Sequence, residues 1–378
     1  MRKIFPFLIL ILIIFSCAKD YTKNPLPDIL ASDNPKIKRV MDSLKKYEIQ
    51  IMVSEINDDK TYSFQVNDSN YFYPASTVKF PLSVLVLEKL SSQDSITLDT
   101  PFYVEGDSTA VTFRQQIRDI FAVSSNETYN RLFEFYGKDN YNMRMKELGL
   151  TPSRFSHRLS TQDANNLRTK PLIFQMDDST LVSTEPIINK PIEKLELHKI
   201  LKGQGYYSDN ILVEEPMDFS KKNYLPISTI HESMKRVMLP QKFPKEKQFL
   251  LSDENRNFLL EAMQLYPKDE GYELPDYYDG YGKFLIYGDT KESIPEHINI
   301  YNKVGYAYGY LTDCAFIEDH KHGIWFLVSA TIHVNHNEIF NDDKYEYETH
   351  GLPFLAELGR QLHQYYIEKE TYLDAHGD

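Results

Sequence analysis

The stretch Tyr73-Pro74-Ala75-Ser76-Thr77-Val78-Lys79-Phe80-Pro81 decides how the rest of the chain is read. Beyond it Leu82, Val84, Leu85, Val86 and Leu87 are apolar on nearly every side, so the pattern predicts a helix buried in the core. Ser76 and Lys79 stand at i and i+3 of its first turn and share a face. A serine hydroxyl is a weak nucleophile until a base takes its proton, and a lysine amine at this spacing can reach it. The helix N-terminus favours the negative charge that develops. A lysine on so apolar a helix is costly unless paired, and burial lowers its pKa. The same Ser-x-x-Lys spacing at Ser16/Lys19 and Ser43/Lys46 opens no apolar helix.

Two further clusters carry chemistry. Ser124-Ser125-Asn126 joins predicted helices over 113–123 and 128–136. Ser124 is suited to relay a proton to a leaving nitrogen, and Asn126 offers a donor and an acceptor to an amide. The same residues also suit plain capping of the second helix. Lys303-Val304-Gly305 ends a predicted strand over 298–304. Gly305 would let a substrate backbone approach a sheet edge. Lys303 would hold a substrate carboxylate and lower the Lys79 pKa by like-charge repulsion. A literal Ser208-Asp209-Asn210 is read instead as a turn between two strands.

Around these clusters, apolar spacing predicts a helix over 37–47, paired strands over 49–53 and 62–66, and helices over 228–238 and 253–265. Strands over 312–318 and 323–332 and a closing amphipathic helix over 352–369 follow. This order suggests an α+β fold: an antiparallel sheet covered by N- and C-terminal helices, beside a helical lobe.

Three runs occur in a telling order: Tyr73 to Pro81, then Ser124-Ser125-Asn126-Glu127-Thr128-Tyr129-Asn130, then Asn302 to Asp313 around Lys303 and Gly305. In that order the chain resembles the class A β-lactamases and related penicillin-recognising serine hydrolases over about residues 36–167 and 228–370. The resemblance implies a five-stranded-type antiparallel sheet and no cofactor. It implies that Ser76 is acylated, Lys79 helps deprotonate it, and Ser124 passes the proton to the departing nitrogen. Asn126 would hold the acyl side-chain amide and Lys303 the substrate carboxylate, with the amides of Ser76 and Tyr306 as an oxyanion hole. The substrate would be a small-molecule β-lactam, as in antibiotic resistance. The alternatives are a cell-wall peptide, in a D-alanyl-D-alanine peptidase or esterase that β-lactams inhibit, and a sensor without turnover.

The chain departs from that family where deacylation is concerned. The family's hydrolytic glutamate lies in a loop after the second cluster, four residues before an asparagine. Residues 151–166 contain no glutamate. If Asn166 is that asparagine, Gln162 stands in the glutamate's place and has no basic group. Asp163 is one position off, and Glu127 is remote. Residues 168–226 read as an insertion, able to reshape the cleft.

Bulk properties set the compartment and exclude partners. Met1-Arg2-Lys3 precedes a twelve-residue apolar run from Ile4 to Phe15, too short for the about 20 residues of a membrane span. This fits an export signal. Cys17, just after Ser16, resembles the bacterial lipoprotein pattern, in which it becomes the lipidated first residue; a plain signal peptide or N-terminal anchor is the alternative. The expected location is the cell envelope, membrane-anchored on a periplasmic or outer-membrane face. Residues 18–35, with Pro25, Pro27 and Pro35, read as a tether, and the catalytic domain as 36–378. A net charge of −13 argues against nucleic acid. With only Cys314 beyond Cys17, no intradomain disulfide is expected. No Cys/His cluster has metal spacing. His320, His322, His333 and His336 read as solvated, and the sequence sets no oligomeric state.

Overall fold

The computed structural model describes residues 21–376. The leader, Cys17 and the start of the expected tether lie outside them. In chain order the elements that position the site are α1 (Leu26–Leu30), α2 (Pro35–Met41), β1 (Gln50–Glu55), β2 (Lys60–Phe64), α3 (Lys79–Ser91), α4 (Phe113–Ala122), α5 (Asn126–Tyr136) and α6 (Lys138–Glu147). Then come β3 (Gly205–Ser208), β4 (Ile211–Val213), α7 (Ile227–Met238), α8 (Asp253–Gln264), β5 (Ile298–Ala307), β6 (Tyr310–Asp319), β7 (Ile324–His333), β8 (Ile339–Phe340) and α9 (Leu352–His376).

Five strands form one sheet in the order β5-β6-β7-β1-β2, and every neighbouring pair is antiparallel. Alternation along the strands divides the core in two. Ile300, Ala315, Ile317, Val328 and Ala330 face α9, where Leu355, Leu358 and Leu362 are buried against them. Cys314, Phe316 and Leu327 face the helical lobe and join α3, α4, α5, α7 and α8 in a second cluster. The fold is α+β, as the order of elements predicts. Helix α3 is buried on all sides, as its sequence implies. Pro81 falls in its first turn, where backbone amides have no intrahelical acceptor to lose.

Several expectations need correction. From residue 21 onward the expected tether is docked. Leu26, Ile29 and Leu30 of α1 are buried in the α9 core, and Tyr365 donates its hydroxyl to the Tyr21 carbonyl at 3.1 Å. Apolar residues at helical spacing outweigh the three prolines, since Pro25 and Pro35 stand where helices start. The helix expected over 37–47 stops at Met41, and Leu44–Lys46 forms a separate 3-10 turn. Ser208-Asp209-Asn210 is indeed a hairpin turn, joining β3 and β4 with Asp209 at φ 48° and Asn210 at φ 63°. His333 is not solvated: its ring stacks on Tyr310 at 4.1 Å, and burial takes its pKa down to about 4.

The 168–226 segment is knitted in by long-range pairing. Leu172–Gln175 pairs with Phe102–Val104, and β3 pairs in parallel with β8 beyond the main sheet. Phe219 and Tyr224 share a third core cluster with Tyr71, Phe72 and Tyr73, just ahead of Ser76. The insertion therefore builds one wall beside the conserved-order clusters of the sequence.

Because α1 is docked, Leu26→Ala should cost about 2–5 kcal/mol of stability, read as a lowered denaturant midpoint. An unchanged midpoint would return residues 21–35 to the role of a tether.

Candidate active site

Ser76 sits in a 3-10 turn, Ala75–Val78, that runs straight into α3. The turn is tied by Thr77, whose amide and hydroxyl both donate to the Pro74 carbonyl, at 3.1 and 2.7 Å. Ala75, just before Ser76, is held at φ 47°, costly for a residue with a Cβ. Ser76 is partly exposed and lines a cleft of about 560 Å³.

Lys79 is fully buried beneath this turn. Its Nζ donates to the Ser124 carbonyl, to Asn126 Oδ1 at 2.7 Å and, more weakly, to Ser124 Oγ at 3.4 Å. Lys303, 2% exposed on β5, reaches the same hydroxyl: its Nζ donates to Ser124 Oγ at 2.8 Å and to the Val304 carbonyl at 2.9 Å. One hydroxyl thus stands between two buried lysines. Burial, and then repulsion from Lys303, hold the Lys79 pKa well below the ordinary lysine value. Burial takes Lys303 down to about 7, with Asp313 opposing the shift and Lys283 adding to it.

The link between α4 and α5 divides the labour that the sequence left open. Ser125 caps α5, its Oγ accepting from the Thr128 amide at 3.3 Å. Ser124, at φ 57°, is thereby turned toward the lysines. Asn126 is occupied at both ends of its amide, since its Nδ2 donates to Ser160 Oγ at 2.9 Å. A substrate amide would have to compete with Ser160 for it.

Strand β5 closes the site from the other side. A Cβ on Gly305 would lie 2.6 Å from the Pro74 carbonyl oxygen and 2.9 Å from the amide nitrogens of Ser76 and Thr77. Gly305 is buried, so the room left by its missing side chain admits the Ser76 turn and not a substrate. That corrects its expected role in substrate binding. Lys303 likewise does not line the cleft, and a ligand carboxylate would meet it only through Ser124. Tyr306, next along the strand, is 56% exposed, lines the cleft, and packs edge-on to Tyr347 at 5.4 Å.

None of the three residues considered for deacylation lines the cleft. Gln162 is solvent-exposed. Asp163 accepts from Thr161 Oγ1 at 2.6 Å and, with Glu127, lines a separate groove. Glu127 is paired there with Arg131. The Asn166 carbonyl accepts from Arg158, whose guanidinium also makes a bidentate contact with Glu134 at 2.6 and 2.8 Å. Among the described residues that line the cleft the one carboxylate is Asp343, which is exposed and follows β8.

Sequence reasoning missed other residues that line the cleft, Tyr73, Tyr308, Tyr345, Tyr347, His157 and Lys222. The density of tyrosine, 27 in the chain, was their only signal. It also missed a buried network behind β5. There Lys283 donates to Asn302 Oδ1 at 2.8 Å, and Asn302 Nδ2 donates to Asp313 Oδ1 at 2.8 Å. Cys314 is buried.

Comparison with known proteins agrees with this geometry. The extended-spectrum β-lactamase TLA-1 superposes with a TM-score of 0.54 at 14% identity, covering 87% of this chain and 97% of its own. A class A β-lactamase from Mycobacterium abscessus gives 0.52 at 14%, covering 85% and 96%. The protein L2, solved with relebactam, gives 0.53 at 14%, covering 89% and 96%. At such identities the likeness shows the fold, which is that of class A β-lactamases. No curated protein matches the chain. Residues 34–211, which carry Ser76, Lys79, Ser124 and Asn126, match the sequence pattern of the β-lactamase enzyme family. The family match thus covers just under half of the chain, and over most of its length the chain has the fold of class A β-lactamases.

Proposed function

We propose that the protein is a serine amidase or esterase that works through an acyl-enzyme on Ser76. The observation that carries this is the shared contact of Lys79 and Lys303 with Ser124, Lys79 being the first residue of the helix that follows the Ser76 turn. A buried lysine held below its ordinary pKa is a competent base at neutral pH. Lys79 takes the Ser76 proton as Ser76 Oγ bonds to the carbonyl carbon. The amides of Ser76 and Tyr306 are the candidate donors to the oxyanion. The tetrahedral centre collapses as the bond to the leaving nitrogen or oxygen breaks. Ser124 gives that atom its proton and recovers one from Lys79. Water then cleaves the ester, releasing the acid and restoring Ser76.

The acylation half is equipped and the hydrolytic half is sparse. With the exposed Asp343 the one carboxylate among the described cleft residues, deacylation depends on Lys79 and the bound acyl group. This favours a penicillin-recognising peptidase or esterase, with β-lactams as slow-leaving acylating agents, over a fast β-lactamase. That a relative was solved with relebactam supports a cleft able to take such ligands. The export signal and Cys17 point to the cell envelope, where cell-wall amides are found.

Time-resolved intact-protein mass spectrometry with a penicillin should show a Ser76 adduct that persists, and Ser76→Ala should form none. Steady product release with only a transient adduct would mean a fast β-lactamase. Lys79→Met should slow adduct formation by about 10²- to 10⁴-fold. Acylation by a carboxylate-bearing ligand should also weaken as the pH rises past about 7, because Lys303 then loses the charge that it presents to the cleft through Ser124. A neutral ester should lack this alkaline limb; the same limb for both would remove Lys303 from ligand binding.

A further inference from the structure

The cleft holds one cation without a protein partner. Lys222 lines the same cavity as Ser76, and among the described residues its ammonium makes no hydrogen bond or ion pair; it faces the Tyr308 ring at 6.0 Å. The other cation that lines the cleft, Arg158, is occupied by Glu134, and Lys79 and Lys303, which do not line it, are occupied at Ser124. Burial lowers the Lys222 pKa, and no carboxylate opposes that shift. An ammonium left half-buried and unpaired costs free energy that a ligand can recover.

The backbone around Lys222 is firmly placed. Its carbonyl accepts from Arg154 Nε at 3.0 Å and Ser156 Oγ at 3.3 Å, and its amide donates to the Phe219 carbonyl at 3.0 Å. Beside it, Asn223 Oδ1 accepts from the Ser156 amide at 2.7 Å. Phe219 packs edge-on to Tyr308 at 5.5 Å, and Tyr308 packs edge-on to Tyr73 at 4.9 Å. The insertion thus brings a cation from a held backbone to an aromatic corner of the cleft that Ser76 also lines.

We propose that Lys222, with the Tyr73–Tyr308 corner, is a subsite for a carboxylate on the acyl portion of the substrate. The preferred substrates are then amides or esters whose acyl group carries its own negative charge. The product released from Ser76 is an acid with at least two carboxylates. The location of this subsite rests on Ser76 as the acylated residue, whereas its charge preference does not.

The test uses Ser76→Ala protein, in which binding is read without acylation. Calorimetric titration compares benzylpenicillin with its α-carboxy derivative, which adds one carboxylate to the acyl side chain. The α-carboxy compound should bind about 10- to 100-fold more tightly, the range expected for a charge-assisted hydrogen bond. Adding Lys222→Gln should bring the ratio near one, and Lys222→Arg should retain it. No preference in Ser76→Ala, no measurable binding of either compound, or a preference that survives Lys222→Gln would overturn the subsite. Adduct formation by the wild-type protein, followed separately, reports on Ser76 alone, so failure there is distinguishable.

Discussion

The Ser124 hydroxyl is shared by two buried lysines, and the rest of the candidate site depends on keeping that contact in place. Two ammonium groups in a low-dielectric interior disfavour each other's charge, and with burial this lowers the pKa of Lys79. Lys79 comes from the helical lobe and Lys303 from the sheet. Their meeting requires the lobe and the sheet to be in fixed registration. Ser124 supplies this only because it is held at positive φ while Ser125 caps the next helix. Gly305 supplies it from the sheet side, by letting the nucleophile turn lie against β5 without a Cβ between them.

Much of this was legible in the chain. The all-round apolar pattern of α3 specified a buried helix, and alternation specified the strands on which Lys303 and Gly305 lie. What local patterns do not carry is partnership across the sequence. The α1 residues Leu26, Ile29 and Leu30 look like a polar tether interrupted by apolar residues until α9, at the far end of the chain, covers them. Gly305 invites a substrate role until the Ser76 turn is seen to fill its space. The 168–226 segment has little periodicity because its strands are short and pair with distant partners.

Lys222 was hidden for a related reason. In sequence it is one of two lysines in a polar run, Ser220-Lys221-Lys222-Asn223, with nothing to separate it from a solvated pair. Only the folding of 154–157 against 219–223 brings it to the cleft. The missing glutamate was the reverse case: visible at once in sequence, with a consequence that the geometry sharpened. Asp163 and Glu127 both lie in another groove, so proximity in the chain offers no replacement. The cleft that remains is lined by Arg158 and Lys222 and by several tyrosines, and among its described residues carries one carboxylate, Asp343, which is exposed.

The central claim is that burial and Lys303 hold the Lys79 pKa well below the ordinary lysine value, which suits Lys79 to take the Ser76 proton. The most direct measurement is the Lys79 pKa itself, followed by NMR of the lysine side-chain ε-carbon signals, with Lys79→Arg used for assignment. The account predicts a midpoint far below the ordinary lysine value, moving upward when Lys303→Met removes the neighbouring charge. A Lys79 that titrates near 10.5, unmoved by Lys303→Met, would contradict it.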